Sequence, residues 1–337
     1  MLDALGMLVF VGAPAVGAAW LAVAWWLEHR SDRIPILLYH RLVRKADVDL
    51  GTVADDEPVW ASYDTVFAAQ MDALREAGFT TLDFDEYLEI RSGARSMPSR
   101  PVIVTFDDGY LSNYTLAFPT LRKNGQKATI FVAPEPDAET RELVAGIDGF
   151  LSAEQMKDLA ANGVSIQSHS LTHPVLTELS PEAVDYELAE SRRRLEAITG
   201  QPVRHLAIPR AGYSRAIRAR ARRHGYATVC CNNKGTSTGW SDPLALPRIV
   251  IERDTSPGDL LRSLTPRAGF ALRVVGNLKR VPERLGGVRF AQRVRGLLYR
   301  EPFGRLFTTR NLKRGVAVAG AGYLAAGLLF AWHLLHR

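Results

Sequence analysis

Two carboxylates and two histidines occur in patterns that could support metal-dependent hydrolysis. Asp107 and Asp108 directly follow an apolar run, and Gly109 behind them permits a tight turn. One carboxylate of such a pair can bind a metal while its neighbour accepts a proton from water. His169 and His173 lie four positions apart, so on a helical turn they would share one face and reach one ion. With one carboxylate they predict a two-histidine, one-aspartate metal site with open positions.

Each motif taken alone also has an ordinary structural explanation. Asp-Asp-Gly is a common turn sequence, and two histidines at this spacing also occur as a hydrogen-bonded structural pair. Both motifs, however, follow predicted strands of one domain. That shared placement favours one common site over two unrelated features.

Strands and helices alternate between residues 33 and 262. Apolar runs predict strands over 34–39, 101–106, 128–132, 164–168, 205–208, 226–231 and 249–251. Apolar residues at helical spacing, with capping residues and glycine stops, predict helices over 67–77, 114–123, 152–161, 180–200 and 214–224. This alternation is typical of parallel α/β architecture. Polar residues after the strand ends favour an α/β barrel, whose sites form at the carboxyl ends of its strands.

Composition excludes several classes of protein. The chain has 337 residues, of which 47% are hydrophobic and 23% charged, so it is neither disordered nor collagen-like. Its two cysteines, Cys230 and Cys231, are adjacent, which excludes a disulfide scaffold and argues against a thiolate zinc site. The net charge of +6 is uneven, because residues 262–314 carry fourteen Lys and Arg against two Glu. The basic block is therefore local, and we expect no nucleic-acid partner.

Two apolar runs predict transmembrane helices on either side of the domain. Residues 4–27 contain no charged side chain and are long enough to cross a hydrocarbon core of about 30 Å. A cleaved signal peptide is the alternative, but no Lys or Arg precedes the run, and its last residues are the bulky Trp25, Trp26 and Leu27. The second run, 315–335, is rich in small residues and follows basic residues. A buried soluble helix is the alternative there.

Residues 263–314 alternate basic and apolar clusters, which predicts an amphipathic juxtamembrane segment on anionic lipid. A solvated basic linker is the alternative. The basic residues beside the second run favour a bacterial inner-membrane protein whose catalytic domain faces the cytoplasm. Long domains cross membranes regardless of such charges, so the outer side stays open. The sequence predicts no particular protein partner.

The stretch from Ile34 to about Glu252 resembles the polysaccharide deacetylase family, also called the NodB homology domain or carbohydrate esterase family 4. The resemblance covers about two thirds of the chain. The matching motifs are Leu38-Tyr-His40, Phe67-Ala-Ala-Gln-Met71, Thr105-Phe-Asp-Asp-Gly-Tyr110, Ala128-Thr-Ile-Phe131, Ser168-His-Ser-Leu-Thr-His173 and Leu246-Pro-Arg-Ile249.

The resemblance implies a distorted (β/α) barrel and metal-dependent hydrolysis of an N-acetyl group on a sugar. It implies that Asp107 is the general base and that Asp108, His169 and His173 hold a divalent ion, usually zinc. The same resemblance implies that His40 is the general acid, a role that suits an imidazole near neutral pH. We further hypothesise that Arg248 orients Asp107 by pairing with it.

The chain departs from the family where a Tyr-Pro-Tyr-Gly-like segment helps to hold the oxyanion. Pro209 matches, but Arg210 replaces the tyrosine and Ala211 the glycine. A backbone donor tolerates such changes. Arg210 and Tyr213 are candidates for substrate binding, because an arginine can bind a phosphate or a carboxylate through two hydrogen bonds. A surface salt bridge is the alternative for Arg210.

These observations predict a membrane-bound, metal-dependent deacetylase that acts on an N-acetylated amino sugar. The sugar would belong to a polysaccharide or be carried on a polyprenyl phosphate. Arg210 and the basic block favour the lipid carrier, whereas the family resemblance favours the polymer. The alternatives are a catalytically inactive metal- or carbohydrate-binding scaffold with the same barrel, and a metal-dependent phosphoesterase.

Overall fold

The structure, a computed structural model, describes residues 13–30, 32–50, 61–142, 145, 148–231, 235–238 and 241–278. The chain divides into two compact units, residues 1–270 and 271–337. The first unit carries every predicted site residue. Residues 279–337, which hold most of the predicted basic segment and the second predicted transmembrane helix, lie outside the described residues.

Eight parallel strands form the central sheet of the first unit, counted over the residues that the structure describes. They are β1 (Ile36–Tyr39), β2 (Thr80–Leu82), β3 (Pro101–Phe106), β4 (Thr129–Val132), β5 (Ser165–Ser168), β6 (His205–Ala207), β7 (Thr228–Cys230) and β8 (Ile249–Val250). The order across the sheet is β7-β6-β5-β4-β3-β1-β8, and β2 also pairs with β3. Arg33–Ile34 pairs antiparallel with Ser237–Thr238 in a separate short ladder, and Leu42–Val43 pairs parallel with Ser62–Tyr63 in another.

Helices connect and cover these strands. They are α1 (Ala13–Glu28), α2 (Lys45–Asp49), α3 (Asp64–Glu76), α4 (Phe84–Ser92), α5 (Phe118–Asn124), α6 (Ala138–Glu142), α7 (Ala153–Ala161), α8 (Pro181–Thr199), α9 (Arg215–Arg223), α10 (Pro257–Ser263) and α11 (Pro266–Leu278). The predicted α/β alternation between residues 33 and 262 is therefore confirmed.

The sheet curves into a distorted and incomplete barrel. On one edge of β3, residues 101–103 pair with β2 while residues 105–106 pair with β4. At the edge of the sheet formed by β7, Leu246 N donates to the Val229 carbonyl at 2.8 Å, and Cys231 N donates to the Leu246 carbonyl at 2.9 Å. These bonds link β7 to the segment before β8, so the first and last parts of the sheet approach each other.

Helix α4 covers the amino-terminal end of the barrel. Its Phe84 and Tyr87 side chains are fully buried in the core that the strands enclose. The Phe84 ring lies 5.7 Å from that of Phe131 and 5.3 Å from that of His205. Neither β2 nor α4 was expected from the sequence, because β2 has three residues and α4 buries only its first turn deeply.

The first predicted transmembrane segment is only partly described. Helix α1 occupies the second part of the 4–27 run, and residues 4–12 lie outside the described residues. Within the described ranges, no helix combines the length and apolarity that crossing a bilayer requires. The transmembrane helices at 4–27 and 315–335 therefore stay predictions without support from the fold.

We expect folding stability to fall as the pH decreases below about 6.5 because of His205. This imidazole is 1% exposed, and its Nδ1 lies 2.9 Å from Thr228 Oγ1. Burial lowers its pKa below the ordinary 6.5 although Asp85 opposes the shift, so the unfolded chain binds the proton more readily. Stability is then lost as pH falls, with a slope of at most about 1.4 kcal/mol per pH unit. Denaturant unfolding should show this slope in the wild type and a flatter one in His205→Gln; equal slopes would contradict it.

Candidate active site

The turn after β3 sends two neighbouring carboxylates in different directions. Asp107 N still donates to the Tyr39 carbonyl at 3.0 Å, so the sheet extends to this residue. Asp108 has φ +72° and Gly109 has φ +76°, and a Cβ at Gly109 would lie 2.9 Å from Val132 Cγ1. Only glycine fits there without displacing Val132. The left-handed backbone separates the side chains, so that Asp107 and Asp108 meet different partners.

The two histidines converge on Asp108 from the loop that follows β5. His169 Nε2 lies 3.3 Å and His173 Nε2 lies 3.1 Å from the same Asp108 Oδ1. His169 Nδ1 lies 2.9 Å from the Ala207 carbonyl, which can only accept, so Nδ1 carries the proton and Nε2 presents its lone pair. The expectation of a helical turn was wrong, because Ser170 and His173 have φ of +64° and +69° in an irregular loop.

The donor set of Asp108, His169 and His173 fits a divalent ion such as zinc. One ligand atom from each residue lies within 4.8 Å of the others. Zinc bonds of about 2.0–2.1 Å in a tetrahedron place neighbouring ligand atoms about 3.3 Å apart, close to the 3.3 and 3.1 Å that separate the two imidazole Nε2 atoms from Asp108 Oδ1. Burial opposes ionisation of Asp108, yet its close contacts with His169 and His173 hold the pKa of this carboxyl well below the usual range. The three ligands leave at least one coordination position for water or substrate.

Arg248 forms a buried two-pronged ion pair with Asp107. Its Nη1 and Nη2 donate to Asp107 Oδ1 and Oδ2 at 2.6 and 2.7 Å, and both side chains are almost fully buried. Burial raises the pKa of Asp107, but the Arg248 guanidinium outweighs it and holds the pKa below the ordinary value. The sequence hypothesis of an Arg248–Asp107 pair agrees with this geometry. Asp107 is thus an ionised carboxylate within 3.9 Å of His169 Nε2.

Removing Arg248 should destabilise the fold. In Arg248→Met, the buried Asp107 carboxylate loses its counter-charge, and we expect a loss of about 3–5 kcal/mol in the free energy of unfolding. Arg262→Met, which removes an arginine that is 71% exposed and paired with Asp259, is the control and should change the free energy little. Denaturant titration measures both variants, and equal stability of the two would contradict a buried pair.

A second group of side chains surrounds His173. Its Nδ1 lies 3.3 Å from Thr140 Oγ1, which also accepts from Arg210 Nη2 at 3.2 Å. Arg210 Nη1 donates to both Glu139 oxygens at 3.1 and 3.2 Å, and Nε lies 3.4 Å from His173 Nδ1. If an ion bound His173 Nε2, Nδ1 would carry the proton and donate to Thr140 Oγ1 instead of accepting from Arg210 Nε. Arg210 therefore lies beside the metal site, and its predicted substrate role is still a prediction.

Thr140 should support metal affinity through His173. In Thr140→Val the acceptor for Nδ1–H is lost while the side-chain shape is kept, and we expect zinc affinity to fall about 10-fold. Competition with a chromophoric chelator measures this change. Thr115→Val, at an exposed helical position whose hydroxyl donates to the Leu111 carbonyl, is the matched control. Unchanged affinity in Thr140→Val would remove Thr140 from the metal site.

Of two further predicted residues, His40 lies beside the two carboxylates, whereas Tyr213 contacts the segment before β8. His40 directly follows β1 and is close enough to Asp108 and Asp107 to interact with them electrostatically. Burial lowers the pKa of His40, although those carboxylates favour the protonated form that a general acid needs. Tyr213 is half-buried and donates its hydroxyl to the Leu244 carbonyl at 3.0 Å. The acid role of His40 and the substrate role of Tyr213 both stay predictions.

Sequence reasoning missed Thr140 and also Glu187 of helix α8. The Glu187 carboxylate accepts from Leu171 N at 2.8 Å, from Thr172 N at 3.0 Å and from Thr172 Oγ1 at 2.7 Å. It thereby holds the loop between the two histidines. A signal existed for Glu187, because it interrupts the apolar face formed by Val184, Leu188 and Leu195. No comparable pattern marks Thr140.

Comparison with known proteins agrees with this geometry. Residues 94–229 match the family model described as polysaccharide deacetylase. The chain is 29% identical to YxkH of Bacillus subtilis over 235 residues, which cover 70% of this chain and 76% of that protein. It is 28% identical over 132 residues to the B. subtilis peptidoglycan-N-acetylmuramic acid deacetylase PdaA, covering 39% of this chain and 46% of that protein.

A solved structure resembles the fold closely. The Streptococcus pyogenes deacetylase PplD, solved in complex with acetate, superposes with a TM-score of 0.62 at 26% identity. The match covers 70% of this chain and 100% of PplD. The family match, these relatives and the site geometry agree: residues 94–229 match the polysaccharide deacetylase family, and the fold around them resembles that of a solved deacetylase.

Proposed function

We propose that this protein is a metal-dependent N-deacetylase that hydrolyses the N-acetyl group of an amino sugar. The observation that carries the proposal is the adjacency of two parts: the Asp108–His169–His173 ligand set, and the ionised Asp107 that Arg248 holds beside it. Amide hydrolysis needs an electrophilic centre and a positioned base within reach of one water. PplD, solved with acetate, and PdaA, named for peptidoglycan N-acetylmuramic acid, support this choice of chemistry.

Each residue of the site has a separate role in the reaction. A divalent ion at the ligand set would supply Lewis acidity toward the acetamide carbonyl. Asp107 accepts a proton from the attacking water, and its fixed pair with Arg248 keeps the carboxylate ionised and oriented. His40 donates a proton to the sugar nitrogen as the carbon–nitrogen bond breaks. The products are acetate and a free amino sugar.

A catalytically inactive scaffold would bind metal or glycan without turnover. The presence of the base, its orienting arginine and all three ligands in one buried cluster supports an active enzyme instead.

The experiment is product analysis with the purified full-length protein in detergent. An N-acetylglucosamine oligomer is incubated with enzyme and zinc, and mass spectrometry follows the conversion of acetamides to free amines. We expect amines and an equal amount of acetate. An unchanged oligomer together with tightly bound zinc would favour the scaffold, and phosphate release from a phosphorylated sugar without acetate would favour a phosphoesterase.

We further propose that the protein is attached to a membrane through residues 4–27 and 315–335, with the catalytic domain on the cytoplasmic side. The uncharged runs and the basic residues before the second run support this arrangement. A cysteine introduced at Ser31 should resist impermeant thiol reagents in intact cells. Ready labelling in intact cells would place the domain on the other side.

A further inference from the structure

A buried carboxylate joins helix α1 to the barrel. Glu28, in the last turn of α1, is 0% exposed. Its side chain accepts hydrogen bonds from Thr236 N at 3.3 Å, from Thr236 Oγ1, and from Arg33 Nε at 3.3 Å. We call Glu28, Arg33 and Thr236 the Glu28 cluster. A buried charge needs such partners, so this contact fixes the end of α1 in one position on the barrel.

Apolar side chains of α1 outside the Glu28 cluster are exposed. Leu21, Val23, Trp25 and Trp26 are between 42% and 56% exposed, whereas Ala24 on the barrel side is 2% exposed. The Arg30 guanidinium lies 4.7 Å from the Trp26 ring centre. Exposed tryptophans followed by an arginine are typical of the boundary between lipid and water. Residues 4–12, which precede α1, contain no charged side chain.

The Glu28 cluster and the active site lie at opposite ends of the barrel. Arg33–Ile34 directly precedes β1 and pairs with Ser237–Thr238, so the cluster lies at the amino-terminal end that α4 covers. Asp107 and His169 follow the carboxyl ends of β3 and β5. Strand β3 has six residues, which at about 3.3 Å per residue and a tilt of about 40° gives a height of about 15 Å. The reacting groups therefore lie at least this far from the cluster.

We propose that the exposed apolar side chains of α1 (Leu21, Val23, Trp25 and Trp26) dock into a lipid bilayer, and that the Glu28 cluster holds the amino-terminal end of the barrel at the membrane surface. The active site then opens away from the membrane. This inference rests on the proposed deacetylase function and on the proposed membrane attachment. It adds the class of substrate that the enzyme can reach. The enzyme acts on a glycan segment that extends away from the bilayer. An amino sugar joined directly to a lipid diphosphate lies at the level of the headgroups, below the site.

The first test measures the height of the two ends of the barrel above the bilayer. Ser99→Cys marks the exposed segment before β3, and Glu178→Cys marks the exposed segment after β5. Both native cysteines are buried and should not compete for a fluorophore. The labelled full-length chain is placed in phosphatidylethanolamine–phosphatidylglycerol vesicles with an energy acceptor on some headgroups. We expect stronger energy transfer from position 99 than from 178; equal, reversed or absent transfer at both positions would overturn the proposal.

The second test asks whether the Glu28 cluster sets this orientation. In Glu28→Gln the charge that pairs with Arg33 is lost, so the difference in transfer between positions 99 and 178 should shrink. Glu76→Gln, at a glutamate that is 69% exposed, is the control and should preserve the difference. Acetate release from a soluble oligomer should stay unchanged in both variants, because Glu28 lies far from the reacting groups. A full difference in Glu28→Gln would show that the cluster does not orient the barrel.

The third test separates this inference from the proposed function. Vesicles containing the wild-type enzyme receive either a soluble N-acetylglucosamine oligomer or N-acetylglucosaminyl diphosphate polyprenol in the same membrane. We expect the oligomer to be deacetylated and the lipid-linked sugar to react at least about 10²-fold more slowly, since misplaced groups lose this much rate. Comparable rates would overturn the inference and leave the deacetylase function intact. No reaction of the oligomer, even in detergent, would instead defeat the proposed function.

Discussion

Asp107→Asn should abolish most acetate release while leaving the metal in place. The asparagine has the same shape and can still accept a hydrogen bond from Arg248, but it cannot take a proton from water at neutral pH. Loss of a general base costs about 10²–10⁴-fold in rate, and we expect a turnover decrease of about 10³-fold. Zinc content should equal that of the wild type, because the ligands are Asp108 and the two histidines.

Two measurements accompany this variant. Asp158→Asn, at a helix position where the carboxylate accepts from Tyr114, is the control and should keep full activity. Denaturant unfolding checks the fold, because Arg248 loses a buried counter-charge in Asp107→Asn. Normal turnover in a folded, zinc-loaded Asp107→Asn protein would show that another group is the base.

His169→Ala should lose zinc and, with it, acetate release. The imidazole supplies one of three ligand atoms, and its Nε2 is oriented by the bond from Nδ1 to the Ala207 carbonyl. Removing a ligand should weaken zinc affinity by more than the about 100-fold that loss of an outer-shell partner can cost. It should also exceed the effect of Thr140→Val. Chelator competition measures all of these affinities on one scale.

The control for this variant is His224→Ala, which removes a histidine that pairs with Asp185 at the end of helix α9. It should bind zinc normally. If His169→Ala retained wild-type zinc affinity, the ion would lie elsewhere, and the convergence of the two histidines on Asp108 would be a structural feature only.

The sequence predicted the chemical groups of the site better than the backbone conformation that holds them. Residue types and spacing indicated His169, His173 and one of two carboxylates, because a metal site depends on which donor atoms are present, and the family resemblance implied that the carboxylate is Asp108. The local conformation did not follow, since a spacing of four positions is compatible with a helical turn and with a loop. Ser170 and His173 adopt left-handed backbone conformations in that loop. These conformations bring the Nε2 atoms of both histidines to one Asp108 oxygen.

Long-range neighbours were harder to anticipate. The pairing of Arg248 with Asp107 was a hypothesis from family motifs, and it depends on β8 lying next to β1 and β1 next to β3. That strand order is a property of the whole barrel. Strand β2 was not predicted because its three residues make no recognisable apolar run. Helix α4 was not predicted because it contacts the core mainly through Phe84 and Tyr87 near its first turn. Thr140 lacks any sequence pattern of its own.

The most direct test of the proposed metal-dependent deacetylase is removal and return of the metal. Acetate release from an N-acetylglucosamine oligomer is measured with the purified full-length protein, after treatment with a chelator, and again after zinc is restored. We expect activity to disappear on chelation and to return with about one zinc per chain, the capacity of a single three-ligand site. Undiminished acetate release by a metal-free protein would contradict the role assigned to Asp108, His169 and His173.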